Sequence, residues 1–345
     1  MKSMKWLGAM ALVMILSISL AVPAMAQDDD KKIGIWQNDV KVSLNVLQSS
    51  YSNNWNGGEK GSVNWTGNID AKFEKQFSEL TNWRNTLKLA YGQTHQQDHN
   101  SEGNLYWQKP DKTDDIIDFE SLFRWMPKSR WDPYVAFTFT SMFEDLSDVH
   151  GRSQTLNPLT FKESGGISRP WIDTEDRKLM SRLGIAFIQN SRSFFTDDPL
   201  SMETFGETSN ELAAELITEY MVGALDGRVD WESKLTLTLP FMYSGKSTFE
   251  DNLDVVVSDL LPEDVAEYTT TLDVDWENTF TANITSVISV KLFVRWVYDK
   301  YDNTVSPVLN DTGDGFANLA DVENAIRKAG QFKQTLALGF TYKFM

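Results

Sequence analysis

The last segment of the chain, residues 331–345, alternates between apolar and polar side chains almost without a break. One face carries Phe332, Leu336, Leu338, Phe340, Tyr342 and Phe344, and the other carries Lys333, Thr335, Ala337, Gly339, Thr341 and Lys343. A strand that crosses a bilayer needs roughly 9 to 11 residues with this period of two, whereas a soluble strand of ordinary length does not. The segment is therefore predicted to be the final strand of a transmembrane β-barrel.

The N-terminus has the three parts of a secretory signal peptide: two lysines, a short apolar run and the small-residue sequence Ala24-Met25-Ala26. We expect a signal peptide over residues 1–26, a short periplasmic lead over residues 27–38 and a barrel domain over residues 39–345. The apolar run is shorter than the roughly 20 residues of a membrane-spanning helix, and no later run approaches that length. The sequence predicts a protein of the bacterial outer membrane that crosses it with strands.

The alternation of the last segment recurs along the mature chain. It is clear in residues 40–46, 63–74, 83–91, 117–125, 135–143, 179–187, 212–222, 229–241, 272–284 and 288–298. Bacterial single-chain barrels have an even number of strands, with short periplasmic turns and longer outer loops. The tight links counted from each end of the chain agree only if one more strand lies at residues 158–171. Gly165 and Gly166 interrupt that segment, and we expect a bulge or bend there.

One predicted strand, over residues 210–225, competes with a helix because it contains helix-forming Leu and Ala residues. The Asp226-Gly227 turn leads straight into another alternating run, which favours the strand. Aromatic residues cluster at strand ends, as in the interfacial girdles of membrane barrels. The predicted fold is all-β: a transmembrane antiparallel up-and-down β-barrel of about 12 strands. A secreted soluble β-sandwich is the alternative.

The net charge and the cysteine content limit the kinds of partner and cofactor that the chain can bind. Without Lys2 and Lys5 the chain keeps 30 of its 32 Lys and Arg against 49 Asp and Glu, which gives a formal net charge of −19. Such a surface repels nucleic acid, which is therefore not an expected partner. The predicted partners are the outer-membrane lipids that surround a barrel. The chain has no cysteine and hence no thiolate metal site. No cofactor is expected, and the oligomeric state stays open.

If the apolar faces meet lipid, the opposite faces line the interior, and they carry charges of both signs. The predicted lumen-lining residues are Lys72, Glu74, Arg84, Lys88, Asp118, Glu120, Arg124, Arg182, Glu215, Glu219, Asp230, Glu232, Lys234, Asp273, Asp275, Lys291 and Arg295. Long side chains of opposite sign tend to pair in a confined, poorly screened space. Twelve strands lie between the roughly eight that side chains fill and the 16 to 18 that leave an open channel. We therefore expect a narrow or internally bridged lumen.

The three histidines are the candidates for chemistry. His95, His99 and His150 fall in predicted outer loops, outside the predicted strands. His95 and His99, with Asp98 between them, have the residue types of a base or a metal ligand, although solvated loop histidines are the simpler interpretation. No Gly-x-Ser-x-Gly elbow is present in the sequence. No catalytic residue is assigned.

A segment near the C-terminus partly resembles a calcium loop. Asn310, Thr312 and Asp314 offer oxygen ligands at alternating positions, Gly315 stands at the sixth position and Asp321 at the twelfth. The pattern lacks the usual bidentate glutamate and sits in no clear helix pair. Calcium binding is a hypothesis here, against an ordinary acidic loop.

Several motifs resemble an uncharacterised outer-membrane β-barrel family, of the domain of unknown function 3078 type. They are the loop Asn54-Trp55-Asn56-Gly57-Gly58, the segments 87–92 and 158–170, Tyr298-Asp299 and the final strand from Gln331. The resemblance covers nearly all the mature chain and implies an outer-membrane barrel without an established activity. We expect the motif residues Asn54, Trp55, Gly57 and Gly58 to shape a loop tip, because glycine permits positive φ.

The C-terminal strand also implies a partner. In such barrels an aromatic final residue is the usual signal to the barrel-assembly machinery, and here Met345 follows Phe344. We expect Phe340, Tyr342 and Phe344 to carry that signal.

The sequence supports three classes of function. The leading hypothesis is a non-enzymatic outer-membrane barrel that acts as a narrow channel or as a structural and surface-interaction protein. An outer-membrane hydrolase with a site at the outer loops, near His95, His99 and His150, is the second. A soluble secreted protein is the third.

Overall fold

The computed structural model describes residues 33–51, 60–102, 104–127, 130–174, 176–196, 198–225, 227–256, 261–310, 312–313 and 315–344. The predicted signal peptide, the first half of the predicted lead and the loop motif Asn54, Trp55, Gly57 and Gly58 lie outside these residues. The strands are β1 (Trp36–Ser49), β2 (Ser62–Ser78), β3 (Thr81–His99), β4 (Leu105–Trp107), β5 (Asp111–Trp125), β6 (Asp132–Ser141), β7 (Leu159–Asp173), β8 (Arg177–Phe195), β9 (Thr204–Ala224), β10 (Val229–Tyr243), β11 (Asp273–Asn283), β12 (Ile288–Tyr298) and β13 (Gln331–Phe344). The helices are α1 (Lys246–Val256), α2 (Val265–Tyr268) and α3 (Leu319–Ala325).

Twelve of these strands form a closed antiparallel barrel. Each pairs with its neighbours in chain order, and β1 pairs with both β2 and β13, which closes the ring. The short β4 pairs only with the end of β3 and lies outside the ring. The prediction of a 12-stranded up-and-down barrel is confirmed. Strand β7 is the weak strand inferred from parity, and β9 is the segment for which a helix competed.

Several strands are longer than predicted, and two of the extensions change a prediction. β1 begins at Trp36, inside the predicted periplasmic lead, because Trp36 continues the ladder opposite Lys75 and packs its ring 5.5 Å from that of Trp83. β3 runs on to His99, because its ladder continues against β2 and then against β4. The placement of His95 and His99 in a loop was therefore wrong: both lie in a strand that extends beyond the expected boundary.

Gly165 and Gly166 form no bulge. Both keep regular register with β6 and β8, and the irregularity of β7 lies between Pro170 and Ile172 instead. The glycines allow the neighbouring strands and the Tyr134 side chain to approach each other closely. A Cβ on Gly184, which faces Gly166, would lie 2.5 Å from the Gly165 carbonyl oxygen and 2.6 Å from the Tyr134 hydroxyl. The Tyr134 side chain is buried against these glycines, and their lack of side chains leaves room for its ring.

The apolar side chains point outward from the ring. On β13 the exposed fractions of Phe332, Leu336, Leu338, Phe340 and Tyr342 lie between 58% and 69%. Exposed apolar residues also recur on the other strands, for example Leu44, Leu183 and Ile185. A surface of this kind around a closed barrel is the lipid-facing band of an outer-membrane protein. The predicted fold and the predicted localisation are confirmed.

Connection lengths give the orientation. The strands are joined by short turns at one end, such as residues 79–80, 174–176 and 225–228, and by long connections at the other. The first residue of β1, Trp36, and the last residue of β13, Phe344, both lie at the short-turn end of the barrel. Short turns are periplasmic in bacterial barrels, so the long connections face outward.

The two longest connections, residues 244–272 and 299–330, fold over the outer end of the barrel, and we call their described parts the cap. The cap has a hydrophobic core of its own, built from Phe249, Leu261, Val265, Ala266, Tyr301, Val305, Phe316, Val322 and Ala325, with Phe194 of β8. The Phe249 ring packs edge-on against Tyr301 at 5.5 Å and against Phe316 at 5.7 Å. No helix in the described part of the chain is both long and apolar enough to span a bilayer.

Candidate functional site

The candidate site is the lumen. The predicted lumen-lining residues lie on β2, β3, β5, β8, β9, β10, β11 and β12, at the positions that alternate with exposed apolar residues. Several of them form ion pairs between strands that are not neighbours in the ring. Such contacts are possible only through the interior of the barrel.

Two arginines and two glutamates meet in the periplasmic half of the lumen, and we call them the quartet: Arg84, Glu120, Arg182 and Glu219. Arg84 lies 3.2 Å from Glu120 and 3.0 Å from Glu219. Arg182 lies 2.7 Å from Glu120 and 3.5 Å from Glu219. Each charge therefore faces two of opposite sign.

The quartet spans the barrel. Between β3, which carries Arg84, and β9, which carries Glu219, the ring passes through β5, β6, β7 and β8. Arg182 and Glu120 are almost fully buried, with exposed fractions of 1% and 6%. Charges this deeply removed from water are stable only when they are paired, so the quartet is a tight obstruction in the lumen.

A second bridge lies beside the quartet. Lys88 of β3 donates a hydrogen bond to Glu277 of β11 at 2.9 Å, again across the ring. Arg295 of β12 reaches Glu277 at 3.5 Å and forms a two-pronged pair with Asp275, at 2.9 and 2.8 Å. The lumen is thus crossed from β3 in two directions.

Further ion pairs involve three other residues on the polar faces of the strands. Lys162 of β7 pairs with Glu215 of β9. Lys333 of β13 lies 2.9 Å from Asp114, and Lys291 lies 3.6 Å from Asp70. Lys162, Asp70 and Lys333 stand on the polar faces of their strands, where the same period-two pattern predicts lumen-lining residues.

Some predicted residues make no ion pair across the lumen. Within the described residues, Arg124 has no carboxylate within ion-pair distance; it donates to the Met180 sulfur at 3.2 Å and to the Asn82 side-chain oxygen at 3.5 Å. Lys72 pairs with Glu74 of its own strand at 2.8 Å. The described partners of Asp118, Glu232, Lys234 and Asp273 likewise include no ion pair, and Asp230 accepts a hydrogen bond from Asn283 at 3.5 Å.

The cap is fastened to the wall by residues 302–305, which we call the anchor segment. Asn303 donates to Glu211 of β9 at 2.8 Å, and its carbonyl oxygen accepts from Ser209 at 2.8 Å. Arg192 of β8 donates to Thr304 at 3.0 Å, and Tyr243 donates to the Val305 carbonyl at 3.2 Å. These contacts hold the cap against β8, β9 and β10 at the outer end of the barrel.

The anchor segment was not found from the sequence. Its residues have the polar composition of any outer loop, and no periodicity distinguishes them. The contacts arise only when the two long connections pack together over β8 and β9.

The pKa values of two aspartates in the outer connections are shifted in opposite directions. Burial, with the nearby Asp302 and Glu211 charges, raises the pKa of Asp299 to about 7. The pKa of Asp148 is lowered, chiefly because its carboxylate accepts hydrogen bonds from Arg152. The folded cap therefore favours the protonated carboxyl of Asp299.

The histidines are distributed over two elements. His95 and His99 lie on β3, and strand alternation places Asp98 between them on the opposite face, where it pairs with Lys60 at 2.6 Å. His150 lies in the connection between β6 and β7, where its backbone N–H donates to Asp148. Within the described residues no group of three or more His, Asp or Glu side chains is placed to hold a metal.

The predicted calcium loop forms a small hairpin. Leu309 and Phe316 bridge, and the Thr312 hydroxyl donates to the Asn310 side chain at 3.0 Å. Asp314 lies outside the described residues, and Asp321 belongs to α3, beside a small cleft that Asp148 and Arg152 also line. Calcium binding by Asn310, Thr312, Asp314 and Asp321 stays a prediction.

Solved structures of barrels resemble this fold at low identity. An outer-membrane channel from Pseudomonas putida F1 matches at 8% identity and a TM-score of 0.39, over 93% of this chain and 100% of its own. The translocator domain of the autotransporter NalP from Neisseria meningitidis matches at 7% identity and a TM-score of 0.37, over 97% and 94%. No conclusion about activity follows from likenesses of this degree. No curated protein matches the chain.

The family comparison bears on the N-terminal part of the barrel. Residues 46–145, from β1 to the connection after β6, match the family described as Protein of unknown function (DUF3078). The resemblance predicted from the sequence is confirmed over that stretch.

Proposed function

We propose that the protein is a narrow, charge-lined channel of the outer membrane whose lumen is closed in the conformation described here. The observation that carries this proposal is the contact of Arg84 with Glu219, which ties opposite walls of the ring at 3.0 Å. A barrel that served only as a rigid wall could fill its interior with apolar side chains. Ionised side chains instead offer a polar path once their pairs separate.

Two obstructions in series support a regulated passage. The quartet crosses the periplasmic half of the lumen, and the anchor segment holds the cap at its outer end. The lining carries charges of both signs, so we expect weak selectivity between anions and cations. A wide general porin is inconsistent with these contacts.

Planar-bilayer recording of the folded mature protein tests the proposal. The wild-type protein should give no steps or small, rare ones, whereas the double variant Arg84→Ala, Glu219→Ala should give larger and more frequent steps. Lys60→Ala is the matched control, because Lys60 belongs to a more exposed ion pair, with Asp98 at the outer end of β3. A folded double variant that stays silent would refute the channel.

A structural and surface-interaction barrel is the second candidate. The cap favours it, since a folded unit with its own core faces the cell exterior. A double variant that folds like the wild type but shows no conductance in the bilayer is the result that selects this candidate.

We also propose that β13 carries the assembly signal. Phe340 and Tyr342 point outward from the strand that closes the ring, in register with β1. The side chain of Phe344 lies outside the described residues. Replacing Phe340 and Tyr342 by Ala should slow membrane insertion by the purified assembly machinery, while Leu336→Ala, on the same face, should not.

A further inference from the structure

The outer wall has a cleft near its periplasmic rim, on β1, β2 and β3. It is an open cavity of about 440 Å³ lined by Trp36, Asn38, Phe73, Trp83 and Asn85. All of these side chains belong to the lipid-facing side of their strands, which alternates with the inward-facing Glu74 and Arg84. The cleft therefore opens to the bilayer.

Strand register arranges the cleft in three rows. Trp36, Lys75 and Trp83 lie side by side in the row at the rim. Asn38, Phe73 and Asn85 form the next row toward the membrane centre. The third row is Val40, Ala71 and Leu87. Polarity thus falls from a cation, through two amides, to aliphatic side chains.

Lys75 is a cation without an acidic partner. Its ammonium lies 5.6 Å from the centre of the Trp36 ring and 5.1 Å from that of Phe77, and these rings hold it in place. Over the described parts of the chain, no carboxylate comes within ion-pair distance of Lys75, and the side-chain amides of Asn38 and Asn85 make no hydrogen bond. Three polar groups on a lipid-facing wall therefore have unused hydrogen-bonding capacity.

Polar groups on this face are costly unless the bilayer supplies partners. A glycerophospholipid presents its groups in a fixed order of depth: a phosphate, then ester carbonyls, then acyl chains. Lys75 matches a phosphate, the amides of Asn38 and Asn85 match carbonyl acceptors, and the third row matches a chain. The order of the rows is the order of the lipid.

We propose that this cleft binds one diacyl glycerophospholipid of the periplasmic leaflet. The Lys75 ammonium pairs with the phosphate, the Asn38 and Asn85 amides donate to the ester carbonyls, and an acyl chain follows Ala71 between β1 and β3. Trp36 and Trp83 flank the headgroup at the interface.

A second rim cation provides the matched control. Arg169 of β7 also lies on the outer face, 5.3 Å from the Trp131 ring and 4.0 Å from the Trp171 ring. The row above it contains Pro133, Ile167 and Leu183, which have no amide. Arg169 thus has the cation and the aromatic rings of the cleft but lacks its donors to the ester groups.

Native mass spectrometry of the folded mature protein, titrated with phosphatidylglycerol, tests the proposal. We expect one tightly bound lipid, with affinity reduced about tenfold in Lys75→Gln, the loss typical of one charge-assisted hydrogen bond. The double variant Asn38→Leu, Asn85→Leu should lose a similar amount although it keeps the cation. Arg169→Gln should leave the tight site unchanged.

Two ligand controls identify the recognised chemistry. Diacylglycerol with the same chains should bind weakly because it has no phosphate, and inorganic phosphate should not displace the lipid because it has no chain. Equal binding of wild type and Lys75→Gln, equal loss in Arg169→Gln, equal affinity for diacylglycerol, or displacement by phosphate would each overturn the proposal. The site needs only the barrel and its membrane, so it does not depend on conductance.

Discussion

Arg182 of β8 lies 2.7 Å from Glu120 of β5, and both side chains are almost completely buried inside the barrel. Glu219 and Arg84 complete the quartet around them, so removing any one member leaves an unbalanced charge among the remaining three. The quartet is consequently sensitive to single substitutions and tolerant of paired ones.

Arg182→Ala should lower the free energy of unfolding by about 3–5 kcal/mol, because Glu120 remains buried without its closest partner. Denaturant titration in lipid vesicles, followed by heat-modifiable gel migration, measures the loss. Lys60→Ala removes an exposed pair and should cost no more than about 1 kcal/mol.

The double variant Arg182→Ala, Glu120→Ala should cost less than the two single variants together, because it removes both charges of the buried pair. Strict additivity in this double-mutant cycle would show that the two charges do not interact.

Phe249→Ala should loosen the cap alone. Phe249 is fully buried between Tyr301 and Phe316, and truncating a buried Phe costs about 3–5 kcal/mol. Limited proteolysis should cut residues 244–272 faster, while the heat-modifiable migration of the barrel stays unchanged. Phe332→Ala, at an exposed site on β13, is the control; faster cleavage there as well would contradict a local effect.

The cap should weaken as pH rises. The pKa of Asp299 is raised to about 7 by burial and by Asp302 and Glu211, against about 3.9 in an unfolded chain. A raised pKa contributes stability that is fully present below about pH 4 and is lost as pH rises through about 7. Proteolysis of residues 299–330 should therefore be faster at about pH 8.5 than at about pH 5.5.

Asp299→Asn is the matched variant, since it keeps the shape of the side chain and removes the titration. It should abolish most of the difference between the two pH values. Asp148 does not interfere, because its lowered pKa affects stability only when pH falls through the acidic range. An unchanged pH dependence in Asp299→Asn would assign it to another group.

Calcium should protect the hairpin at residues 309–316 from proteolysis if the loop binds the ion. The expected effect appears at millimolar calcium and is lost in Asn310→Ala and in Asp314→Ala. Magnesium at the same concentration is the control, because it prefers a stricter octahedral set of ligands. Equal cleavage with and without calcium would exclude the site.

The barrel wall was predictable because one rule governs every strand. A residue that faces lipid must alternate with one that does not, so the period of two identified even the weak strand β7. The same rule placed Arg84, Arg182 and Glu219 on inner faces. It failed at strand ends such as His95 and His99, where the strand leaves the membrane and the alternation no longer has a physical cause.

The cap and the pairing within the lumen were not predictable in this way. Which arginine meets which glutamate depends on the stagger of strands far apart in the ring, as for Arg84 and Glu219. The core around Phe249 joins two connections that are distant in sequence. Gly165 and Gly166 were misread for the same reason: their role depends on the Tyr134 side chain of another strand.

The pairing of Val40 with Phe344 brings the first and last strands together. Joining segments so far apart in sequence carries a large loss of chain freedom, and such long-range pairing forms slowly. Until β13 arrives, β1 and β12 present bare edges that invite pairing with other chains. A polypeptide cut short during synthesis or export therefore cannot hide its edges, and premature termination would mark this protein for aggregation or degradation in the periplasm.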